Sequence, residues 1–215
     1  ISDEHKFAVI ELGASAVGEI NYTAAIAQPD VSILTNAGSA HLEGFGSYDN
    51  IVKAKGELIS ALGDDGVAIL NADDPAFEYW QQVAKPKQVR AFSLSKRDGS
   101  AVWAEAVALC PDSTHFDLCW DEGRLAISLP LPGEHNIANA LAAACAANVL
   151  GVDWNSIQKT LSELKSVKGR LEIKKSQRGY TVINDTYNAN PSSTRAALDV
   201  LAKSTGFRVA VLGDM

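Results

Sequence analysis

The sequence predicts an α/β protein. Short apolar runs end in polar or glycine-rich turns, and helical stretches lie between them. The texture changes over residues 87–132, where short strands succeed one another without helices, which predicts a small antiparallel sheet beside a mainly parallel one. The balance of 47% hydrophobic and 21% charged residues is that of a folded chain, not a disordered one, and 215 residues suffice for one large domain with part of another.

Phe7-Ala8-Val9-Ile10-Glu11-Leu12-Gly13 is an apolar run closing on a carboxylate and a glycine, which reads as a buried strand with a functional residue at its carboxyl end. A helix is expected over 19–27 and a second strand over 31–36, a spacing that suggests parallel pairing. The glycine-rich loop 38–46 comes next, then a helix over 48–62 and the turn Gly63-Asp64-Asp65-Gly66. Val67-Ala68-Ile69-Leu70-Asn71 is a third strand, and Asp73-Asp74-Pro75 suits a helix start.

In the changed region, 89–93 and 116–120 read as antiparallel strands with polar turns. Residues 136–150 are almost continuous alanine, leucine and asparagine, a helix built for close packing, and 154–164 is another helix. After Gly169-Arg170 come a strand over 180–185, a helix over 192–203 and a strand over 208–215. An open strand needs cover on both faces, and neither the first nor the last has it in this sequence, so the chain reads as cut from something longer.

The net charge of −7 and the absence of a Lys/Arg cluster argue against a nucleic-acid partner, although backbone N–H groups and a few placed cations can still hold a phosphate. Cys110, Cys119 and Cys145 match no zinc spacing and read as thiols in a reducing compartment. No apolar run is long enough to span a bilayer, and the first residues do not resemble a signal peptide, so a cytoplasmic protein is expected.

Several residues carry candidate chemistry. Glu11 ends an apolar strand, where a carboxylate is costly unless it meets a cation or donors; capping a helix or pairing with a lysine is the bland alternative. His41 lies in the glycine-rich loop after a strand, where α/β proteins put their ligands. On the next helix Lys53 reads as a solvated side chain. Asn136 and Asn139 share one helical face near a helix start, and asparagine amides offer the donor and acceptor that an adenine edge needs; capping would explain one of them, not the pair. Arg170 follows a helix and can reach a phosphate, or be a surface charge. Asp185 ends a strand and can accept from a ribose hydroxyl, while the asparagines after it can cap the helix near Ser192.

Taken in order, these segments resemble the Mur ligase superfamily, and its MurF branch most closely. The matching stretches are Ile10-Glu11-Leu12-Gly13 with Gly18-Glu19-Ile20, Ala40-His41-Leu42-Glu43-Gly44-Phe45-Gly46-Ser47 and Lys53-Ala54-Lys55-Gly56-Glu57. Asn71-Ala72-Asp73-Asp74, residues 131–139, Gly169-Arg170 and residues 185–191 continue the series. The His41–Ser47 and Asp185–Pro191 stretches favour the MurF branch over its sisters.

The resemblance implies an ATP-dependent carboxylate–amine ligase of peptidoglycan synthesis, joining D-alanyl-D-alanine to UDP-MurNAc-tripeptide through an acyl phosphate. It implies Glu11 and His41 as magnesium ligands and Lys55 as a lysine whose carbamylated form supports a second Mg²⁺. It also implies Asn136 and Asn139 as adenine contacts, Arg170 as a phosphate contact and Asp185 as a ribose contact. Residues 1–168 then belong to the central ATP-binding domain without its phosphate-loop part, and 169–215 to the beginning of a Rossmann-like C-terminal domain. A monomer without membrane insertion is expected.

Two departures qualify this. Ala14-Ser15-Ala16 stands where many of the branch carry Asn-His or a similar pair, which bears on substrate contacts near Ser15. The phosphate loop Gly-x-x-Gly-Lys-Thr/Ser is absent from these 215 residues, as are a UDP-binding domain and most of the C-terminal domain, so the chain alone is expected to be inactive and to bind ATP poorly. The rival readings are a sister enzyme (the tripeptide-forming ligase, cyanophycin synthetase or folylpolyglutamate synthetase) and a non-catalytic nucleotide-binding module. A simple metal hydrolase fails on ligand supply, since His5, His115 and His135 lie in unrelated contexts.

Overall fold

The computed structural model describes residues 2–38 and 42–214, with the side chains at 42 and 43 left out. By its contacts the chain forms two units, Ile1–Ala68 with Asp74–Val89, and Ile69–Asp73 with Arg90–Met215. Among the described residues six strands form one sheet in the order β1-β2-β3-β4-β5-β6, and β7-β8 form a second.

The first unit is built around α3 (Tyr48–Ser60). Ser47 caps it, its side chain accepting from Asn50 N–H at 3.2 Å. Its buried positions, Ile51, Val52, Ala54, Gly56 and Ile59, lie three or four apart or adjacent, forming one face. That face packs on α1 (Glu19–Ala27), β1 (Val31–Leu34) and α4 (Phe77–Val83). The short α2 (Leu42–Phe45) contributes Phe45, which clusters with Ile51 and Ala54. At its far end α3 offers the carbonyls of Ile59 and Ser60 to the Lys87 ammonium, at 3.0 and 3.1 Å, which satisfies acceptors a helix terminus leaves open. Trp80 of α4 is fully buried, and its indole N–H donates to Val52 O at 3.0 Å.

β2 (Val67–Asn71) and β3 (Gln88–Ser93) lie next to each other and are joined through α4, the crossover form that parallel strands require. β4 (Ser100–Leu109) pairs with β3 in parallel and with β5 (Thr114–Trp120) antiparallel, and β5 pairs antiparallel with β6 (Gly123–Leu129). The antiparallel strands therefore extend the main sheet instead of forming a sheet of their own, and β3 is parallel, not antiparallel, to its neighbour. β4 and β6 were not legible individually: β4 is irregular, with a register shift between Glu105 and Ala108.

α5 (Glu134–Val149) packs on β4 and β5 through Ile137, Leu141 and small residues, as its alanine-rich sequence predicts. α6 (Trp154–Ser162) covers β6, capped by Asp153 and anchored by stacking of Trp154 on Trp120 at 4.4 Å. β7 (Glu172–Lys175) and β8 (Thr181–Asn184) make an antiparallel pair, and α7 (Pro191–Ala202) follows. Asn190 and Ser193 form a reciprocal capping box at the start of α7; of the two asparagines expected as caps, Asn190 takes that role, while Asn188 Oδ1 accepts from Ala189 N–H.

Two expected strands are not formed. Residues 7–13 and 208–214 have no strand assignment, and Val9 and Val211 are 98% and 91% exposed. The apolar pattern is present in both, but a strand exists only through a neighbour's hydrogen bonds, and neither segment pairs with another here. Glu11 is accordingly exposed, not buried at a strand end. Cys119 and Cys145 are buried and Cys110 half-buried, all three free of disulfides. Among the described residues no helix is long and apolar enough to cross a membrane.

Candidate active site

Lys55 is the candidate residue most shaped by its surroundings. It projects from α3 and is half-buried, whereas Lys53, two residues earlier, is exposed as a solvated face requires. The Lys55 ammonium donates to Asn36 O at 2.7 Å, at the peptide that follows β1. Burial lowers the Lys55 pKa below its ordinary 10.5, and the nearby Asp74 charge acts in the opposite sense.

Asp74 also fixes the strand-end loop. One of its oxygens accepts from Ala37 N–H and the other from Ala76 N–H, both at 2.8 Å. The Asn36–Ala37 peptide is thus held from both sides, its carbonyl by Lys55 and its N–H by Asp74. In the sequence Asp74 stands out as a helix-start signal and as the end of the Asn71–Asp74 stretch, not as a partner of the strand-end loop. Its second bond lies 37 residues away in the chain, which no local pattern encodes.

Glu57, one turn beyond Lys53 on α3, accepts from Gly18 N–H and Asn21 N–H at 2.7 and 2.9 Å. It takes the place of a side-chain cap that α1 lacks, with Gly18 at φ +95°. Glu11 stands exposed on the unpaired segment before α1, and His41 lies outside the described residues. Among the described residues no group of three His, Cys, Asp or Glu side chains is gathered to hold a metal ion.

The other candidates lie in the second unit. α5 begins at Gly133, whose φ of +98° and tight contact with the His135 ring leave no room for a side chain. Neither asparagine caps the helix. The Asn136 amide N–H₂ donates back to Pro132 O at 2.7 Å, leaving its Oδ1 as acceptor, and Asn139 is exposed one turn on. The His135 pKa is lowered by desolvation, opposed by the charges of Asp185 and Glu134, which brings Asp185 within electrostatic reach of the α5 start.

Arg170 and Asp185, 15 residues apart, meet where β7 and β8 end, since Glu172 pairs with Asn184. Asp185 Oδ1 accepts from Leu171 N–H at 3.0 Å, and the Arg170 guanidinium lies 4.3 Å from the centre of the Tyr187 ring. Tyr187 N–H donates to Gly169 O at 3.0 Å. The structure therefore brings Arg170 and Asp185 together. It adds Tyr187, which the sequence showed only as part of the 185–191 stretch.

Residues 1–147 match the family described as Mur ligase middle domain, and residues 169–215 match the Mur ligase glutamate ligase domain. The UDP-N-acetylmuramoyl-tripeptide–D-alanyl-D-alanine ligase of Escherichia coli K12 is 41% identical over all 215 residues, which correspond to 47% of its length. A crystal structure of MurF from Acinetobacter baumannii matches 97% of the chain at 40% identity with a TM-score of 0.91, and the match takes up 45% of that structure. A MurF ligase structure from Thermotoga maritima in complex with ADP matches 91% of the chain at 28% identity and a TM-score of 0.77, across 44% of its own length. The chain spans just under half the length of the curated relatives it matches. The order of motifs, the α/β sheet with its antiparallel extension and these matches agree, and the chain belongs to the Mur ligase family.

Proposed function

We propose that the protein carrying this chain is an ATP-dependent ligase that joins D-alanyl-D-alanine to UDP-MurNAc-tripeptide. ATP phosphorylates the terminal carboxylate of the tripeptide, the dipeptide amine attacks the acyl phosphate, and an amide, ADP and phosphate result. Residues 1–168 supply the central nucleotide-binding part and 169–215 the start of the C-terminal domain. The protein works as a cytoplasmic monomer, with no nucleic-acid partner.

The observation that carries this reading is the state of Lys55. A lysine held half-buried, with its pKa lowered, presents more neutral amine than a surface lysine does, and only the neutral amine adds CO₂. The ammonium first loses a proton, and the neutral amine then forms an N–C bond to CO₂ and releases a second, so an anion is left where a cation stood. The carbamate nitrogen keeps one N–H, a donor that can still serve the Asn36 carbonyl to which the ammonium donates. Carbamate and the Glu11 carboxylate are oxygen donors, the type that hard Mg²⁺ prefers, and His41 completes the set. Bound magnesium would offset the charge that builds on the transferring phosphoryl group. Asn136 and Asn139 read the adenine edge, Asp185 accepts from the ribose with the carboxylate oxygen that Leu171 leaves free, and Arg170 meets phosphate.

The test is an assay of the whole protein with ATP, Mg²⁺, UDP-MurNAc-tripeptide and D-alanyl-D-alanine. ADP release is expected only with both substrates, together with a product of the summed mass less water. Release driven instead by a single amino acid or by a folate would assign the chain to a sister enzyme. The isolated 215-residue chain, which contains no phosphate loop, is expected to release none.

A further inference from the structure

The turn at residues 169–171 is held more firmly than a surface linker requires. Gly169 sits at φ +76°, and a Cβ there would come within 3.2 Å of Tyr187 N. Leu171 is at φ +47°, a left-handed conformation that a branched side chain adopts only when its surroundings enforce it. Three contacts do so. Tyr187 N–H donates to Gly169 O, Leu171 N–H donates to Asp185 Oδ1, and the Arg170 guanidinium lies 4.3 Å from the Tyr187 ring centre. The Glu172 carboxylate closes the turn from the other side, accepting from Gly169 N–H at 3.3 Å and from the Asn184 amide at 2.9 Å.

We propose that Tyr187 is the positioning residue for Arg170: its ring face sets the guanidinium on the turn that also carries Asp185, so that the phosphate-reading cation and the ribose-reading carboxylate are delivered as one preset unit. The claim rests on the nucleotide-contact reading of Arg170 and Asp185. An arginine side chain has many rotamers to lose on meeting a phosphate, and an aromatic platform reduces that loss in advance. A ring serves here because it attracts the cation without competing for the donors that the phosphate needs, as a carboxylate would.

The experiment compares Tyr187→Leu, Tyr187→Phe, Arg170→Ala and the Tyr187→Leu/Arg170→Ala double variant in the whole protein. The readouts are kcat, KM for ATP, KM for D-alanyl-D-alanine and direct titration with ADP. Tyr187 is 66% exposed, so its truncation empties no core, and thermal unfolding verifies this. Tyr187→Leu is expected to raise KM for ATP about two- to fivefold, the scale of an exposed cation–π contact, with kcat and the dipeptide KM little changed. Tyr187→Phe recovers most of the loss, because the ring and not the hydroxyl meets Arg170. In the Arg170→Ala background Tyr187→Leu adds nothing. An unchanged KM, an additive double variant, or a KM lowered by Tyr187→Leu (a ring that parks the arginine away from its ligand) each overturns the proposal while leaving the ligase reading intact. A wild-type protein that neither binds ADP nor consumes ATP removes that reading, and this claim with it.

Discussion

Lys55 and Arg170 are both cations for which we propose roles in phosphate chemistry, and the protein prepares them in opposite ways. Lys55 is half-buried on a long helix, its ammonium against a main-chain carbonyl, its pKa displaced by desolvation. Arg170 is exposed on a turn between a helix and a hairpin, with an aromatic ring beneath it and its neighbours fixed by hydrogen bonds. Burial alters what a group is, because it changes the balance between its protonation states. A preset turn alters only where a group is. Changes at Lys55 are therefore expected to reach turnover, and changes at Arg170 to reach nucleotide affinity.

The largest effect separates the two at once. Lys55→Ala in the whole protein is expected to lower kcat on the order of a hundredfold or more, the scale of losing one preorganised electrostatic contributor. Lys55→Arg fails equally, since a guanidinium stays charged and takes up no CO₂. With ¹³C-bicarbonate the wild type shows a carbamate carbon resonance that both variants lack. The sign of the pH dependence sharpens this. Below the folded pKa of Lys55 both folded and unfolded chains hold the proton, and the burial penalty stands in full. Between that value and 10.5 only the unfolded chain holds it, so this group makes stability rise with pH across the window. Urea denaturation of Lys55→Met is expected to lack that rise.

Next in size is Asp74→Ala, which leaves the Ala37 and Ala76 N–H groups without their acceptor. A loss of about 1–3 kcal/mol of stability by urea denaturation is expected, from unsatisfied and partly buried donors. Arg170→Ala works the other way, raising KM for ATP about tenfold, the scale of a lost charge-assisted hydrogen bond, with the urea midpoint nearly unmoved. If Arg170→Ala instead lowered stability as Asp74→Ala does, the contrast between the two cations would collapse.

The same contrast governs what could be read from sequence. The helices around Lys55 were legible almost to the residue, α1 over 19–27 and α3 from Tyr48, because apolar spacing and Ser47 encode them locally. The partners of Lys55 were not, because Asn36 and Asp74 come from distant stretches that only the fold joins. Asp185 and the capping Asn190 stood in one visible motif, yet Tyr187 within it carried no mark of its role, since a ring under a guanidinium is a fact of the turn at 169–171. The apolar runs at 7–13 and 208–214 show the limit from the other side. Their pattern is that of the buried β2, but composition specifies a strand's faces and not its neighbour.

The smallest effect concerns the asparagine pair, where one residue has a structural duty and the other has none. Asn136 donates to Pro132 O at 2.7 Å and so ties the start of α5 to the chain entering it. Asn139, exposed on the same face, holds no such bond among the described residues. If both read adenine, each alanine variant raises KM for ATP, by about two- to tenfold for one neutral hydrogen bond. Only Asn136→Ala should also lower stability, by roughly 0.5–1.5 kcal/mol in urea. Using GTP as a competing substrate isolates the adenine contact, because a variant that has lost it should discriminate less between the two bases. If Asn139→Ala keeps full preference for ATP, then Asn139 is a solvated helix residue and Asn136 reads the base without it.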